Sequence, residues 1–152
     1  MIEDSFTSFD DLDKVKFQNL IASGFGKYLV DDYFKYLNPA YINVVEDMEG
    51  NYIGATVTEE FKEGLYYLDK LVVAKDYQNN GIGKKLWDCV IEQSSKLVWR
   101  AKPLNHINKI YVRECEGMQK FEPWFVYWKG LDPVELVEGI GYALDKKETL
   151  VG

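Results

Sequence analysis

Between Leu65 and Ala101 the hydrophobic period of the chain changes twice, and that change sets the fold class. "LYYLDKLVVA" (Leu65–Ala74) is dense in β-branched and aromatic residues, the composition of a buried strand. "KDYQNNGIGKKLW" (Lys75–Trp87) follows, a polar turn with two glycines that opens into a helix. In that helix Ile82, Leu86, Cys89, Val90 and Gln93 form an inward stripe, with Lys84, Lys85, Asp88 and Glu92 outside it, as far as about Ser95. "KLVWRA" (Lys96–Ala101) returns to strand. Strand, helix and strand in that order predict a right-handed crossover, which requires a sheet covered by helices.

The flanks extend this pattern. Leu12, Val15, Leu20 and Ile21 recur at roughly helical spacing over Asp10–Ala22, with Gly24 as the expected terminator. A second helix is expected through Leu29, Tyr33, Tyr36 and Leu37, stopped by Asn38-Pro39. "YINVVE" (Tyr41–Glu46) and "YIGATVTE" (Tyr52–Glu59), around Glu49-Gly50-Asn51, predict a β-hairpin. After Ala101 come a polar segment (Pro103–Asn108), a short helix or turn near Tyr111, an aromatic strand (Pro123–Trp128) and a last helix from Pro133 to about Ala143. The reading is a single domain, 1–152, of mixed α/β (α+β) class.

With 18 basic and 25 acidic residues the net charge is −7, which argues against general nucleic-acid binding but not against a small anion in a local basic pocket. No apolar run approaches the ~20 residues that span a bilayer, and "MIEDSFTSFDDLDK" lacks the apolar core of a secretion signal. A soluble intracellular protein with reduced thiols at Cys89 and Cys115 is expected. Those cysteines and the lone His106 show no metal-ligand spacing, so no metal site is expected.

The glycine turn can be set against three phosphate-binding patterns. GxxxxGK[ST] fails, because position 78 is glutamine and Lys84 is followed by Lys85. GxGxxG fits Gly81 and Gly83 but fails at Leu86. Gln78-Asn79-Asn80-Gly81-Ile82-Gly83 does match Q/R-x-x-G-x-G/A, the pyrophosphate loop of the GNAT acetyltransferases. Glycines there let backbone N–H groups converge on phosphate oxygens at a helix N-terminus, and Lys84 and Lys85 add charge at the rim. The alternative is a purely structural turn.

A second pattern is cationic. Strand alternation puts Arg100 and Lys102 on one face, and Lys70 interrupts the apolar run of the preceding strand. Two such strands side by side would form a basic cleft, in which an arginine fork suits a carboxylate. The other reading is a set of surface ion pairs with the surplus acids, Lys70 with Asp69 among them.

"FGK" (Phe25–Lys27), "YLDKLVV" (Tyr67–Val73), "QNNGIGKKLW" (Gln78–Trp87), "VWRAK" (Val98–Lys102), Asn105-x-x-Asn108-x-x-Tyr111 and the aromatic strand Trp124–Trp128 follow in order. Together, over about residues 10–145, they resemble the acetyltransferase domain of the vertebrate and fungal type of N-acetylglutamate synthase. The resemblance implies a GNAT fold: a mixed, mostly antiparallel twisted sheet, helices on both faces, and a splayed strand pair that holds acetyl-CoA. It also implies transfer of the acetyl group from acetyl-CoA to the α-amine of L-glutamate, as in arginine biosynthesis.

Carried onto this chain, it implies glutamate binding by Lys27, Lys70, Arg100 and Asn105, with Lys102 where an arginine is usual and Asn108 as a further hydrogen-bonding residue. Leu71, Val72 and Val73 would bind the cofactor arm, and Gln78, Asn79, Asn80, Gly81, Ile82, Gly83 and Lys84 its pyrophosphate. Tyr111 would assist catalysis together with Asn105. The general base is left open among Asp69, Glu59 and a water chain. His106, where the family usually has proline, is expected to be a loop residue. In the family this domain follows an amino-acid-kinase domain, so the implied partners are that domain and further copies of the chain. The implied location is the mitochondrial matrix for a eukaryotic domain and the cytoplasm otherwise. The rival reading is a regulatory module that binds coenzyme A or an amino acid with little turnover, resembling those attached to fungal acetylglutamate kinases.

Overall fold

A computed structural model describes residues 1–152. In chain order the strands are β1 (Ile2–Phe6), β2 (Tyr28–Leu29), β3 (Tyr41–Glu46), β4 (Tyr52–Lys62), β5 (Leu65–Val73), β6 (Leu97–Ala101), β7 (Gly117–Phe121), β8 (Trp124–Lys129) and β9 (Leu150–Val151). The helices are α1 (Lys14–Phe25), α2 (Tyr33–Tyr36), α3 (Ile82–Gln93), α4 (Asn108–Glu114) and α5 (Pro133–Asp145). Seven strands form one sheet in the order β1-β3-β4-β5-β6-β8-β7, while β2 and β9 pair apart from it. Only β5 and β6 run parallel, joined by the expected α3 crossover. No helix is long and apolar enough to cross a membrane.

Burial assigns the helices to two faces. On one, α1 sets Phe17, Leu20 and Ile21 against Ala55, Val57 and Val72, and α5 covers Tyr67, Val98 and Val126. On the other, Leu86, Trp87 and Val90 of α3 cover Leu68, Leu71, Val73 and Trp99. Trp87, outside the predicted stripe, is fully buried, whereas Cys89 is half-buried.

Several elements depart from expectation. α1 starts later, at Lys14, because the Asp13 side chain caps it by accepting from the Lys16 N–H; a 3-10 turn occupies Phe9–Asp11. The terminator is Gly26 in the left-handed region (φ 65°), not Gly24. Gly24 lies within the last turn, where a Cβ would stand 2.4 Å from Val72 Cγ2 and 2.7 Å from the Val73 carbonyl oxygen. Its missing side chain is what lets α1 touch β5. The second helix shrinks to one turn, Tyr33–Tyr36, because Tyr28–Leu29 pairs with β9 instead. The edge strands β1 and β7 were not expected; β1, "IEDSF", is mostly exposed and carries little period-2 signal.

Two irregularities in β5 create the site. Its register against β4 passes from Leu68↔Thr58 to Lys70↔Val57, which leaves Asp69 as an extra residue. The bulge turns both Asp69 and Lys70 toward the α1/α5 face, where Tyr33 and Thr149 meet them. The parallel pairing with β6 covers only Tyr66–Leu68 and Leu97–Trp99. Beyond that the two strands part, and the facing edge of β5 is left without a ladder.

Candidate active site

A cavity of about 750 Å³ fills the space between the parted strands. Its lining passes from the α1/α5 face, with Lys27, Asp69, Lys70 and Arg100, to the α3/α4 face, with Leu71, Gln78 and Tyr111. A smaller cavity of about 190 Å³ lies at the glycine turn, lined by Val73, Asn79, Gly81, Gly83 and Lys84, and shares Gln78 and His106 with the first.

The smaller cavity is built from backbone. Asn79 (φ 68°) and Gly81 (φ 85°) are both left-handed, and a Cβ on Gly81 would meet nothing within 4 Å. Gly81 is the N-cap of α3 and no side chain caps that end, so the first N–H groups and the positive end of the helix face the cavity. Gln78 pins the turn by donating from Nε2 to the Val73 carbonyl (3.1 Å). Gly83 serves packing, since a Cβ would come within 3.0 Å of Ile107 Cδ1. Lys84, paired with Asp88, stands at the rim. These groups fit a pyrophosphate. Lys109, which donates to the Asn79 side chain, and Arg113 also line this cavity, and the sequence reading missed them. Their only signal was two cations four residues apart, one turn of helix.

The other end is built from charged side chains. Lys70 is buried and donates to Asp69 (3.1 Å) and Thr149 Oγ1 (2.5 Å). Burial pulls the Asp69 carboxyl up, but Lys70, Lys146 and the Tyr33 hydroxyl outweigh it and hold it below the usual carboxylate range. Arg100 lies over the Trp124 ring at 3.9 Å and donates to the carbonyls of Ala143 (2.8 Å), Lys146 (2.7 Å) and Lys147 (3.3 Å), closing the C-terminal end of α5. Lys102 pairs with Glu148 at 2.8 Å, and Lys147 with Asp32 at 3.1 Å. Lys27, also in the lining, takes part in none of these pairs.

Between the two ends sits Tyr111, buried against Trp87, Trp99 and Tyr127. Burial pushes its phenol well above the ordinary value, so the hydroxyl stays protonated. Asn105 lines the large cavity while its Oδ1 accepts from the Ile107 N–H (2.9 Å), fixing the turn before α4. Asn108 lines neither cavity. Its amide donates to the carbonyls of Lys102 and Pro103, and its Oδ1 accepts from the Tyr127 hydroxyl. Asn80 also lies outside both linings, and the Val72 and Ile82 side chains belong to the two cores. His106 borders both cavities, and burial and Lys109 lower its pKa.

The sheet, the bulge and the parted strands define an acetyltransferase fold of the GNAT type. A GNAT-family acetyltransferase from Staphylococcus aureus Mu50 superposes with a TM-score of 0.66 at 17% identity, over 86% of this chain and all of that one. N-acetylglutamate synthase from Neisseria gonorrhoeae, solved with coenzyme A and N-acetyl-glutamate, gives 0.62 at 13% identity, over 85% of this chain and 35% of that one. Within this fold the chain belongs to the family of the NAT domain, the N-acetyltransferase of N-acetylglutamate synthase, whose model matches residues 3–146. It is 36% identical over 151 residues to an acetylglutamate kinase of Xanthomonas campestris pv. campestris, covering 96% of this chain and 34% of that protein. The zebrafish (Danio rerio) mitochondrial N-acetylglutamate synthase is also 36% identical, over 138 residues, 88% of this chain and 26% of that protein. The chain thus spans about a third or less of the length of these relatives.

Proposed function

We propose that the chain transfers the acetyl group of acetyl-CoA to the α-amine of L-glutamate. The observation that carries this reading is a cavity between parted strands lined by the cations Lys27, Lys70, Arg100 and Lys102 among its charged groups, adjoined at Gln78 and His106 by a smaller, backbone-built cavity whose groups fit a pyrophosphate. Acetyl-CoA supplies the acyl group as a thioester. The N–H groups from Gly81 to Lys84 face its pyrophosphate, and the unpaired edge of β5 at Leu71–Val73 offers hydrogen bonds to its arm and an N–H donor to the developing oxyanion. The cations face the two carboxylates of glutamate, and Asn105 orients the amine. Tyr111, protonated at any working pH, donates to the departing thiolate. As general base, Asp69 is poor because two lysines hold its carboxylate, and Glu59 is engaged by Tyr142 and Lys146. A water chain through the cavity is the better proton acceptor. A homo-oligomer and an accompanying amino-acid-kinase domain are the partners this reading admits.

Thiol release from acetyl-CoA, measured with each standard amino acid, tests it. Glutamate is expected to be the preferred acceptor, with glutamine and aspartate much weaker, since truncating one partner of a desolvated charge pair costs a few kcal/mol. Equal turnover of glutamine removes the dicarboxylate assignment. The match to about a third of a protein named as a kinase admits a second reading, a module that binds coenzyme A or an amino acid without turnover. Coenzyme A binding with no thiol release for any amino acid would establish it.

A further inference from the structure

Lys102, one of the four cations assigned to the acceptor, already pairs with a carboxylate, and it is the chain's own. Lys102 Nζ stands 2.8 Å from Glu148 Oε1. The hydrogen bond from Lys102, against a smaller effect of burial, holds the Glu148 carboxyl below its usual range, and the charges of Lys102, Lys27 and Arg100 add to it. Glu148 and all three cations line the large cavity. We infer that Glu148 is a built-in competitor that sets the affinity for the acceptor: its side chain holds the carboxylate position of the cationic end and must swing away from Lys102 before an acceptor's carboxylate can take that position.

Two observations make the swing inexpensive. The Glu148 and Lys102 side chains are 43% and 41% exposed, so the pair is solvent-screened and weak. The backbone around Glu148 is moored independently, Lys147 by its carbonyl to Arg100 and Thr149 by its carbonyl to the Val30 N–H (2.8 Å) and by its hydroxyl to Lys70. Only the side chain has to move. The carboxylates of Asp69 and Glu59, buried against Lys70 and Lys146, are not open to the same exchange.

The inference rests on the proposed acceptor site, and the test separates the two. In Glu148→Gln, the KM for glutamate is expected to fall roughly two- to fivefold, the fold-change of up to about 1 kcal/mol for an exposed ion pair. The kcat, the KM for acetyl-CoA and the melting temperature are expected to stay as in the wild type. An unchanged or higher KM for glutamate overturns the inference, the second result making Glu148 a ligand of the acceptor; a fall in kcat at constant KM overturns it in favour of a role in proton transfer. If the wild type releases no thiol with glutamate, the functional reading fails by itself. Calorimetry with glutarate, a dicarboxylate with no amine to acetylate, then decides the inference: tighter binding to Glu148→Gln than to the wild type upholds it, and equal binding or none to either protein removes it.

Discussion

At the α3/α4 end, in the smaller cavity, backbone N–H donors face inward beside the cations Lys84, Lys109 and Arg113, fixed by the left-handed turns at Asn79 and Gly81 and by an uncapped helix. At the α1/α5 end the groups that face inward are charged side chains, and most already have partners within the protein: Lys70 and Asp69 each other, Lys102 and Glu148 each other, and Arg100 three backbone carbonyls. The first arrangement presents donors that no side chain of the protein satisfies. The second presents a network in which a ligand must exchange with partners in place. Substitutions are therefore expected to act in opposite ways: at the cradle they change affinity with little effect on stability, and in the buried part of the network they change stability first.

The largest effect is expected for Lys70→Met. Lys70 and Asp69 have side chains 7% and 4% exposed, and removing one partner of a buried pair leaves a charge without compensation. Such losses run to about 3–5 kcal/mol, and the low end applies because Lys146 and Tyr33 still hold Asp69. Thermal unfolding should show a large drop in melting temperature. The pH dependence follows from the depressed Asp69 carboxyl. A lowered folded pKa stabilises fully above the unfolded value, about 3.9, and the contribution is lost as pH falls through the folded value. Removing Lys70 raises that folded value, so acid unfolding should begin at a higher pH in the variant. A variant with wild-type stability would mean that the network is not buried in solution.

Tyr111 stands where the two ends meet, and Tyr111→Phe tests whether that junction is chemical or only packed. Phenylalanine keeps the contacts with Trp87, Trp99 and Tyr127, so the melting temperature should hold. Removing a positioned general acid typically costs on the order of a hundredfold in rate. The expected outcome is a kcat lower by up to that factor, with both KM values near the wild type. A stable variant with wild-type kcat removes Tyr111 from the mechanism and leaves it as a wall of the aromatic cluster.

The same contrast governs what the sequence reveals. The cradle is legible because its geometry demands particular residues: a left-handed turn needs glycine at position 81, and the helix stripe beginning at Ile82 marks where the donors point. The strands and the crossover are legible because burial on fixed faces imposes a period. At the charged end the cations and the adjacent Lys70–Asp69 pair are legible, but the other partners are hidden because they come from elements distant in sequence. Nothing local says that Arg100 will close the end of α5, or that "KKET" after that helix, which has the composition of a solvated tail, will supply Glu148 to the cavity. Asn108 illustrates the opposite error, since a polar residue placed near a site by resemblance ties Pro103 to Tyr127 instead of entering the cavity. Gly24 shows that a glycine near a helix end can be needed for close packing as readily as for termination. β1 is missed because an edge strand exposed along most of its length carries no hydrophobic alternation.

Gly81→Val is expected to have the smallest of these effects and the most selective. A Cβ at this position meets no protein atom within 4 Å, so the fold has room for the side chain. The φ of 85° is the obstacle, because a β-branched residue in the left-handed region costs on the order of 1–2 kcal/mol and relieves the strain by rotating the turn. That rotation redirects the N–H groups of the cradle, and the added methyls occupy the space through which a pyrophosphate would approach. Coenzyme A affinity by calorimetry should fall about tenfold, equivalent to about 1.4 kcal/mol. The KM for glutamate should not change, because none of the charged end touches this turn. Unchanged coenzyme A affinity would make the turn structural and remove the cradle from the site. A matching rise in the KM for glutamate would show that the two ends are one coupled unit and not two independently built halves.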